Sequence, residues 1–305
     1  MGLRIATYNL KDFFLPRTPG EQGVVEAKIA NVAAELLRAR ADVVALQEVG
    51  APELLDRLVA KELVSLSYGA PIMGTRDKRG IGCAILARVP VLWSQVHTRP
   101  WLPFPTLCEG DPEPFAHRIP LRRGIVHVRV ESPELGEVDV ITAHFKSSLG
   151  SPLKTADGRE IKDDSPRANG EAAVRSLVQR AAEALLVRGL VDDVLRDLPD
   201  HAICVLGDLN DGADSMPVRI VRGERVLESG HLRACAELLS EDRRFSCFHA
   251  GKPILIDHVL ASERLFRQVR AFDIQNDKLR YHGPHVDDPP LTEDSDHALC
   301  VAEFG

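Results

Sequence analysis

Short apolar runs recur along the chain, most of them bounded by Gly, Pro, Asn or Asp, which is the spacing of buried strands joined by turns. Residues 3–8 read as a first strand. Over 22–40, Val25, Ile29, Val32 and Leu36 share one helical face and predict an amphipathic helix. Residues 41–46 follow as a second buried strand. Strand, helix and strand in this order predict a pair joined across a sheet face. Pro52 opens a predicted helix to about residue 66, with proline near the first turn where its missing N–H does no harm. Further strands are predicted at 81–86, 91–96, 125–130, 138–143, 202–206, 254–260 and 298–304. One more helix is expected over 168–188. The Pro-rich stretch 100–120, the polar stretch 147–166 and the Pro- and Asp-rich stretch 283–294 read as loops.

No repeat, low-complexity tract or composition shift marks a linker. Residues 1–305 are therefore expected to form a single domain. Strands in both halves with helices between them predict an α/β fold with two sheets packed face to face and helices outside.

Composition narrows the function classes. Lys and Arg number 38 against 45 Asp and Glu, a formal charge of −7. That excludes a basic clamp over the whole surface but leaves room for a local basic groove. Aromatic content of 5% argues against a platform of stacked rings. The six cysteines form no CxxC pair, and Cys83, Cys204 and Cys300 sit in apolar runs as small buried hydrophobes. With no charged leader followed by an apolar stretch, and no run long enough to span a bilayer, a cytoplasmic monomer without a membrane segment is expected.

The candidate chemistry stands at strand ends. Asn9 follows the first strand and Glu48 the second. A carboxylate there reaches a hard cation from a rigid base, and the amide of Asn9 offers it a neutral oxygen. Taken singly, each is more often a turn or capping residue. Asp208 and Asn210 are two apart after the strand 202–206, so alternation would turn both into one cavity. Asp208 could orient or deprotonate a water, and Asn210 could donate to a phosphate oxygen. Asp296 and His297 are adjacent and should diverge, the acid toward a metal and the imidazole toward phosphorus. Asp257, a charge inside an apolar run, is suited to hold the other nitrogen of His297. The plain alternative is a buried ion pair without a catalytic role. His144 ends the strand 138–143 with Lys146 two positions on, so both could face a phosphate. Arg79, Arg122, Arg123, Arg167 and Arg175 are further anion-binding candidates, each of which surface charge would equally explain. His127, His231, His249 and His282 have no supporting context and read as structural or exposed.

Six segments carry a resemblance. They are Thr7-Tyr8-Asn9, Leu46-Gln47-Glu48, Thr142-Ala143-His144, Gly207-Asp208-Leu209-Asn210, Ile256-Asp257-His258 and Ser295-Asp296-His297. In this order the chain resembles the endonuclease/exonuclease/phosphatase superfamily over nearly its whole length. The resemblance implies a four-layered α/β sandwich of two packed mixed sheets flanked by helices. It also implies magnesium- or manganese-dependent phosphoester hydrolysis. Carried over, Asn9 and Glu48 lie at the metal with Asp296 nearby, and Asp208 positions the attacking water. Asn210, His144 and His297 stabilise the pentavalent phosphorus, and Asp257 orients His297. Lys146 and Arg175 are candidates for the substrate phosphate. The segment before Asp257 departs from the inositol-phosphate 5-phosphatase and abasic-site patterns. His144 with its following Phe145-Lys146-Ser147 is most similar to bacterial nuclease-like members. The expected function is a phosphodiesterase, a nuclease on DNA or RNA, with a small-molecule or lipid phosphate as the alternative substrate. The acidic stretch 287–294 would repel a polyanion unless it turns away or holds a second metal.

Overall fold

Leu3–Phe13 (β1) leads through the helix Gln22–Ala39 (α1) to Val43–Val49 (β2), which lies parallel to β1 with Ile5 opposite Val43 and Asn9 opposite Gln47. The computed structural model describes residues 2–223, 230–283 and 290–305. The chain continues through Pro52–Arg57 (α2), Ile72–Met73 (β3), Gly82–Ala87 (β4), Val91–His97 (β5), Ile125–Ser132 (β6) and Gly136–Thr142 (β7). Pro166–Asp197 (α3), Ala202–Asp208 (β8), Met216–Arg222 (α4), Leu232–Ala234 (β9), Cys247–His249 (β10) and Lys252–Ile254 (β11) follow. Asp257–Ser262 (β12), Glu263–Phe266 (α5), Val269–Ile274 (β13) and Cys300–Phe304 (β14) complete the order.

Two mixed six-stranded sheets result, with orders β13-β14-β1-β2-β4-β3 and β5-β6-β7-β8-β12-β9, and β10 and β11 form a separate hairpin. The parallel pairs are β1 with β2 and β7 with β8. Strand alternation builds the layers. Leu3 and Ile5 of β1 join Val43, Ala45, Val128, Val140 and Leu206 in a core between the sheets. Ala6, Tyr8, Val44 and Leu46 face outward and take Val25, Ile29, Val32 and Leu36 of α1. Ile141, Ile203 and Val205 of the second sheet likewise receive Ala184, Val187, Leu190 and Val191 of α3. Each fully buried Val, Leu or Ile contributes about 1.5–3 kcal/mol, so both faces of both sheets are held. The chain is a four-layered α/β sandwich. No helix among the described residues is long and apolar enough to cross a membrane.

Some elements depart from the sequence pattern. The helix expected over 52–66 breaks after Arg57 into a wide π turn, Leu58–Glu62, and a 3-10 turn, Val64–Leu66. The wider turn keeps Leu54, Leu55, Leu58, Leu63 and Leu66 all buried, which a straight helix of that spacing would not. α3 begins earlier, where the Ser165 hydroxyl accepts from the Ala168 amide at 3.2 Å, and runs on to Asp197. The single strand expected at 254–260 is two: β11 pairs with β10, and β12 pairs with β8.

Candidate active site

The site is built where regular pairing stops. After Asn9 the β1–β2 register breaks, and Lys11 and Asp12 take left-handed φ values of 49° and 48°. Glu48, at φ 59°, lies in a matching irregularity between β2 and β4. The kink redirects two amides. Lys11 N donates to Asn9 Oδ1 and Asp12 N to Glu48 Oε2, both at 2.9 Å. Left-handed backbone at a non-glycine residue is costly and collects at functional sites.

From the second sheet, β8 delivers Asp208 and β12 delivers Asp257, directly opposite one another in the antiparallel ladder. Asn9 Nδ2 crosses between the sheets to Asp208 Oδ2 at 2.9 Å. His144, just past β7, sets Nε2 at 3.4 Å from Asp208 Oδ2 and 4.0 Å from Glu48 Oε1. His297 places Nδ1 at 2.7 Å from Asp257 Oδ2, which also accepts from the Ser246 hydroxyl at 2.7 Å. Asn9, Glu48, His144, Asp208, Asp257 and His297 therefore form one continuous set of contacts.

Asn210 reaches the same set by a different route from strand alternation. Its φ is 54°, its backbone N donates to Asp208 Oδ1 at 2.9 Å, and its side chain donates to the Phe145 carbonyl at 3.0 Å. Asp296 Oδ2 accepts from Lys11 Nζ at 2.7 Å, and its Oδ1 lies 3.9 Å from His297 Nε2. Lys146 and Arg175 turn to the loop after β7. The Lys146 ammonium donates to the Ser147 and Leu149 carbonyls at 2.8 Å, and Arg175 Nε to the Ser151 carbonyl at 2.8 Å. Of the acidic stretch 287–294, Asp287 and Asp288 lie outside the described residues. Asp294 pairs with His282 Nε2 at 3.1 Å.

Electrostatics separate the groups. Burial and then the facing Asp257 carboxylate push the Asp208 carboxyl up to about 7, against His297 and the bonds from Asn9 and Asn210. Burial would lower His297, but the charge and hydrogen bond of Asp257 outweigh it and hold the imidazole well above its ordinary value. His144 is driven well below its ordinary value by burial and by Arg123, so it is neutral. Burial would raise Asp296, but His297 and Lys11 outweigh it and keep the carboxyl below its ordinary value.

Several site neighbours carry weak signals in sequence. Lys11 stands two residues past Asn9, the same spacing that singles out Lys146 after His144. Arg123, 6% exposed, lies against both nitrogens of His144 at 3.1 and 3.2 Å and donates to the Phe145 carbonyl at 3.0 Å. His282 meets Lys11 Nζ at 3.1 Å. Ser295 donates to the Asn9 carbonyl at 2.6 Å and accepts from His297 N at 3.0 Å. Ser246 has no local pattern that marks it.

The donor set fits a hard divalent cation. Asp208 and Asp257 bring carboxylate oxygens within 4.8 Å of each other and of a His297 nitrogen, and Asp257 Oδ1 is buried with no hydrogen-bond partner. Glu48, Asn9 and Asp296 add carboxylate and amide oxygens, the donors magnesium and manganese prefer.

The sequence profile of the Endonuclease/Exonuclease/phosphatase family matches residues 7–297. No curated protein sequence matches the chain. Solved structures share the fold at low identity. A D. rerio TDP2 complexed with single strand DNA product superposes with a TM-score of 0.59 at 14% identity, covering 100% of this chain and 99% of that one. The 3' phosphatase NExo from Neisseria, bound to product DNA hairpin, gives 0.58 at 17% identity and covers 99% of both chains. An AP endonuclease from Archaeoglobus fulgidus gives 0.57 at 14% identity, again with 99% of both chains covered.

Proposed function

We propose that this chain, which belongs to the Endonuclease/Exonuclease/phosphatase family, is a magnesium- or manganese-dependent phosphodiesterase that hydrolyses nucleic acid, working as one catalytic domain over 1–305 and as a monomer. The observation that carries the reading is the cross-sheet contact set running from Glu48 through His144 and Asp208 to Asp257 and His297. TDP2 and NExo, the similar folds named above, bind DNA product.

In this reading Glu48, Asn9 and Asp296 would hold the cation, which when bound would supply charge to steady the leaving oxygen. Asp208, with its carboxyl pushed up to about 7, accepts a proton from the attacking water. Asn9 fixes which way that carboxylate points. His297, kept protonated by Asp257, donates from Nε2 to a phosphate oxygen as negative charge builds there. Neutral His144 adds a second donor from the other side. The Asn210 amide, now on the Phe145 carbonyl, is positioned to turn toward the phosphate.

The formal charge of −7 favours a second substrate reading, a small or lipid phosphate ester. A panel of single- and double-stranded oligonucleotides, inositol phosphates and sphingomyelin, assayed with Mg2+ and Mn2+, separates the two. Oligonucleotide cleavage is expected, with EDTA abolishing it and Glu48→Gln and His297→Ala each lowering the rate by about 10²–10⁴-fold. Full activity in both variants would overturn the assignment.

A further inference from the structure

The inner face of α3 changes character along its length. Ala184, Val187, Leu190 and Val191 pack as apolar side chains on the second sheet. Ahead of them Ser176, Gln179, Arg180 and Glu183 are polar, and all four are buried. They stand at i, i+3, i+4 and i+7, so they share one side of the helix. Buried polar groups are costly unless bonded. Here the bonds go to the turns that carry the phosphoester cluster. Ser176 Oγ donates to the Leu149 carbonyl at 2.6 Å, and Lys146 N donates to Glu183 Oε2 at 2.7 Å. Gln179 Nε2 donates to Glu183 Oε1 at 2.9 Å and to the Pro120 carbonyl at 2.8 Å.

Arg180 reaches two of these turns at once. One guanidinium nitrogen donates to the Ser147 carbonyl at 3.1 Å, three residues past His144. Its Nε donates to Asp211 Oδ2 at 2.9 Å, on the residue that follows Asn210. A guanidinium suits the task because its rigid fork addresses two acceptors in fixed directions, which an ammonium does not. The Asp211 carbonyl accepts from His258 Nε2 at 2.9 Å. Asp211 is therefore held at its carboxylate by α3 and at its carbonyl by β12. Asn210, immediately before it, has a φ of 54°, a left-handed conformation that a non-glycine residue keeps only where its surroundings over-determine it. The direction of the Asn210 amide follows from that backbone. On the other side, the Ser147 carbonyl on Arg180 and Lys146 N on Glu183 pin the turn after His144 to the same helix.

We propose that Arg180 is a positioning residue of the hydrolytic site, bracing the Asn210 turn through Asp211 and the His144 turn through Ser147 so that both groups meet one phosphate. The inference rests on the phosphodiesterase reading. Arg180 is 6% exposed and acts through its two partners.

Kinetics and hydrogen exchange on the full chain test this. With Mg2+ and a single-stranded oligonucleotide, Arg180→Gln is expected to lower kcat by about 10–10²-fold and to leave KM little changed, because the displaced groups serve the transition state. Asn210→Ala lowers kcat by itself. Arg180→Gln added to it is expected to cost less than in the wild type, whereas a purely structural loss would cost the same in both backgrounds. Asp211→Asn, at a partly exposed carboxylate, is expected to reproduce the fall in kcat, and it carries the test if Arg180→Gln does not fold. Hydrogen exchange needs no substrate. Either variant is expected to speed exchange over 209–213, and Arg180→Gln over 145–149 as well, with the β8 stretch 202–206 unchanged. A wild type that hydrolyses no phosphoester would sink the catalytic reading, while faster exchange in the two turns would still support the brace. A folded variant with wild-type kcat, an equal cost in the Asn210→Ala background, or unchanged exchange in the turns would overturn the inference.

Discussion

Asn9 and Asp208, 199 residues apart and on different sheets, are joined by an amide-to-carboxylate hydrogen bond of 2.9 Å at the centre of the candidate site. The bond holds a carboxylate where burial and Asp257 both oppose its charge. Stability and function therefore pull apart at this residue. Asp208→Asn removes the charge and keeps the shape, at the loss of one of the two bonds the carboxylate accepts from Asn9 Nδ2 and Asn210 N. In EDTA at pH 8, where the wild-type carboxyl is ionised, the variant is expected to melt no lower than wild type. With Mg2+ its turnover is expected to fall by about 10²–10⁴-fold. A thermal melt and a single-turnover assay on the same preparation check both halves; a large drop in melting temperature would contradict the electrostatic account.

Asp257 is buried and acts on His297 through their 2.7 Å bond, so its contribution should appear in pH dependence. Burial alone would lower His297, and Asp257 reverses that. Asp257→Asn leaves a hydrogen-bond partner and removes the charge, so the imidazole loses its proton at lower pH. If His297 serves as a cationic donor, the alkaline limb of kcat moves to lower pH in the variant, and the acid limb set by Asp208 moves to lower pH as well, because the Asp257 charge that raises that carboxyl is gone. A pH–rate profile at saturating Mn2+ measures it. An unchanged alkaline limb would mean His297 is not the donor.

Much of this arrangement is legible in the sequence because strand ends are. Asn9, Glu48, His144 and Asp208 each follow an apolar run, and period-2 burial identifies those runs without any tertiary knowledge. The four-layer fold is legible for the same reason. The directions of side chains after the strands end are not. Alternation predicts that Asn210 faces the same cavity as Asp208, yet a left-handed residue turns its amide to the Phe145 carbonyl. Lys146 and Arg175 satisfy carbonyls of the 147–151 loop, contacts that depend on loop closure rather than on spacing. Ser246 meets Asp257 only because β10 and β11 fold back as a hairpin, which a single predicted strand over 254–260 conceals. His127 reads as featureless until the β6–β7 register sets Asp139 diagonal to it.

Lys28 is a buried base whose charge conflicts with its setting. It is 2% exposed, and its ammonium bonds the Thr292 and Asp294 carbonyls at 3.2 Å, tying down the segment that leads into Ser295. Burial lowers it to about 8, with Asp12 opposing. For a base depressed in the folded state, the unfolded chain binds more protons between about pH 8 and the ordinary lysine value of 10.5, so stability rises with pH across that window. Lys28→Met is therefore expected to be more stable than wild type at pH 7. Relief of roughly 3 kcal/mol of charge burial is partly offset by lost bonds to carbonyls, leaving about 1–2 kcal/mol. Urea unfolding should show that advantage closing as pH climbs toward 10. Turnover should fall, because the tether before Ser295 is gone; a variant less stable at pH 7 would show that the carbonyl bonds outweigh the buried charge.

Gly207 sets how closely β7 and β8 approach where they deliver the site. Its φ is 142°, and a Cβ added there would meet the Ala143 carbonyl oxygen at 2.0 Å, backbone that cannot swing aside as a side chain would. Ala143 precedes His144, and Gly207 precedes Asp208, so relieving the clash moves the two strand ends apart. The Ala143 N to Leu206 O bond of 3.2 Å and the Phe145 N to Asp208 O bond of 3.0 Å bracket the contact and would both lengthen. Gly207→Ala combines backbone strain with overpacking and is expected to cost more than about 3 kcal/mol. Folded molecules that remain should lose activity beyond the loss in folded fraction, since the 3.4 Å spacing of His144 and Asp208 depends on this approach. Urea unfolding gives the first quantity. Activity per folded molecule, measured well below the melting temperature, gives the second. A variant with wild-type stability would mean that β8 relaxes around the added methyl.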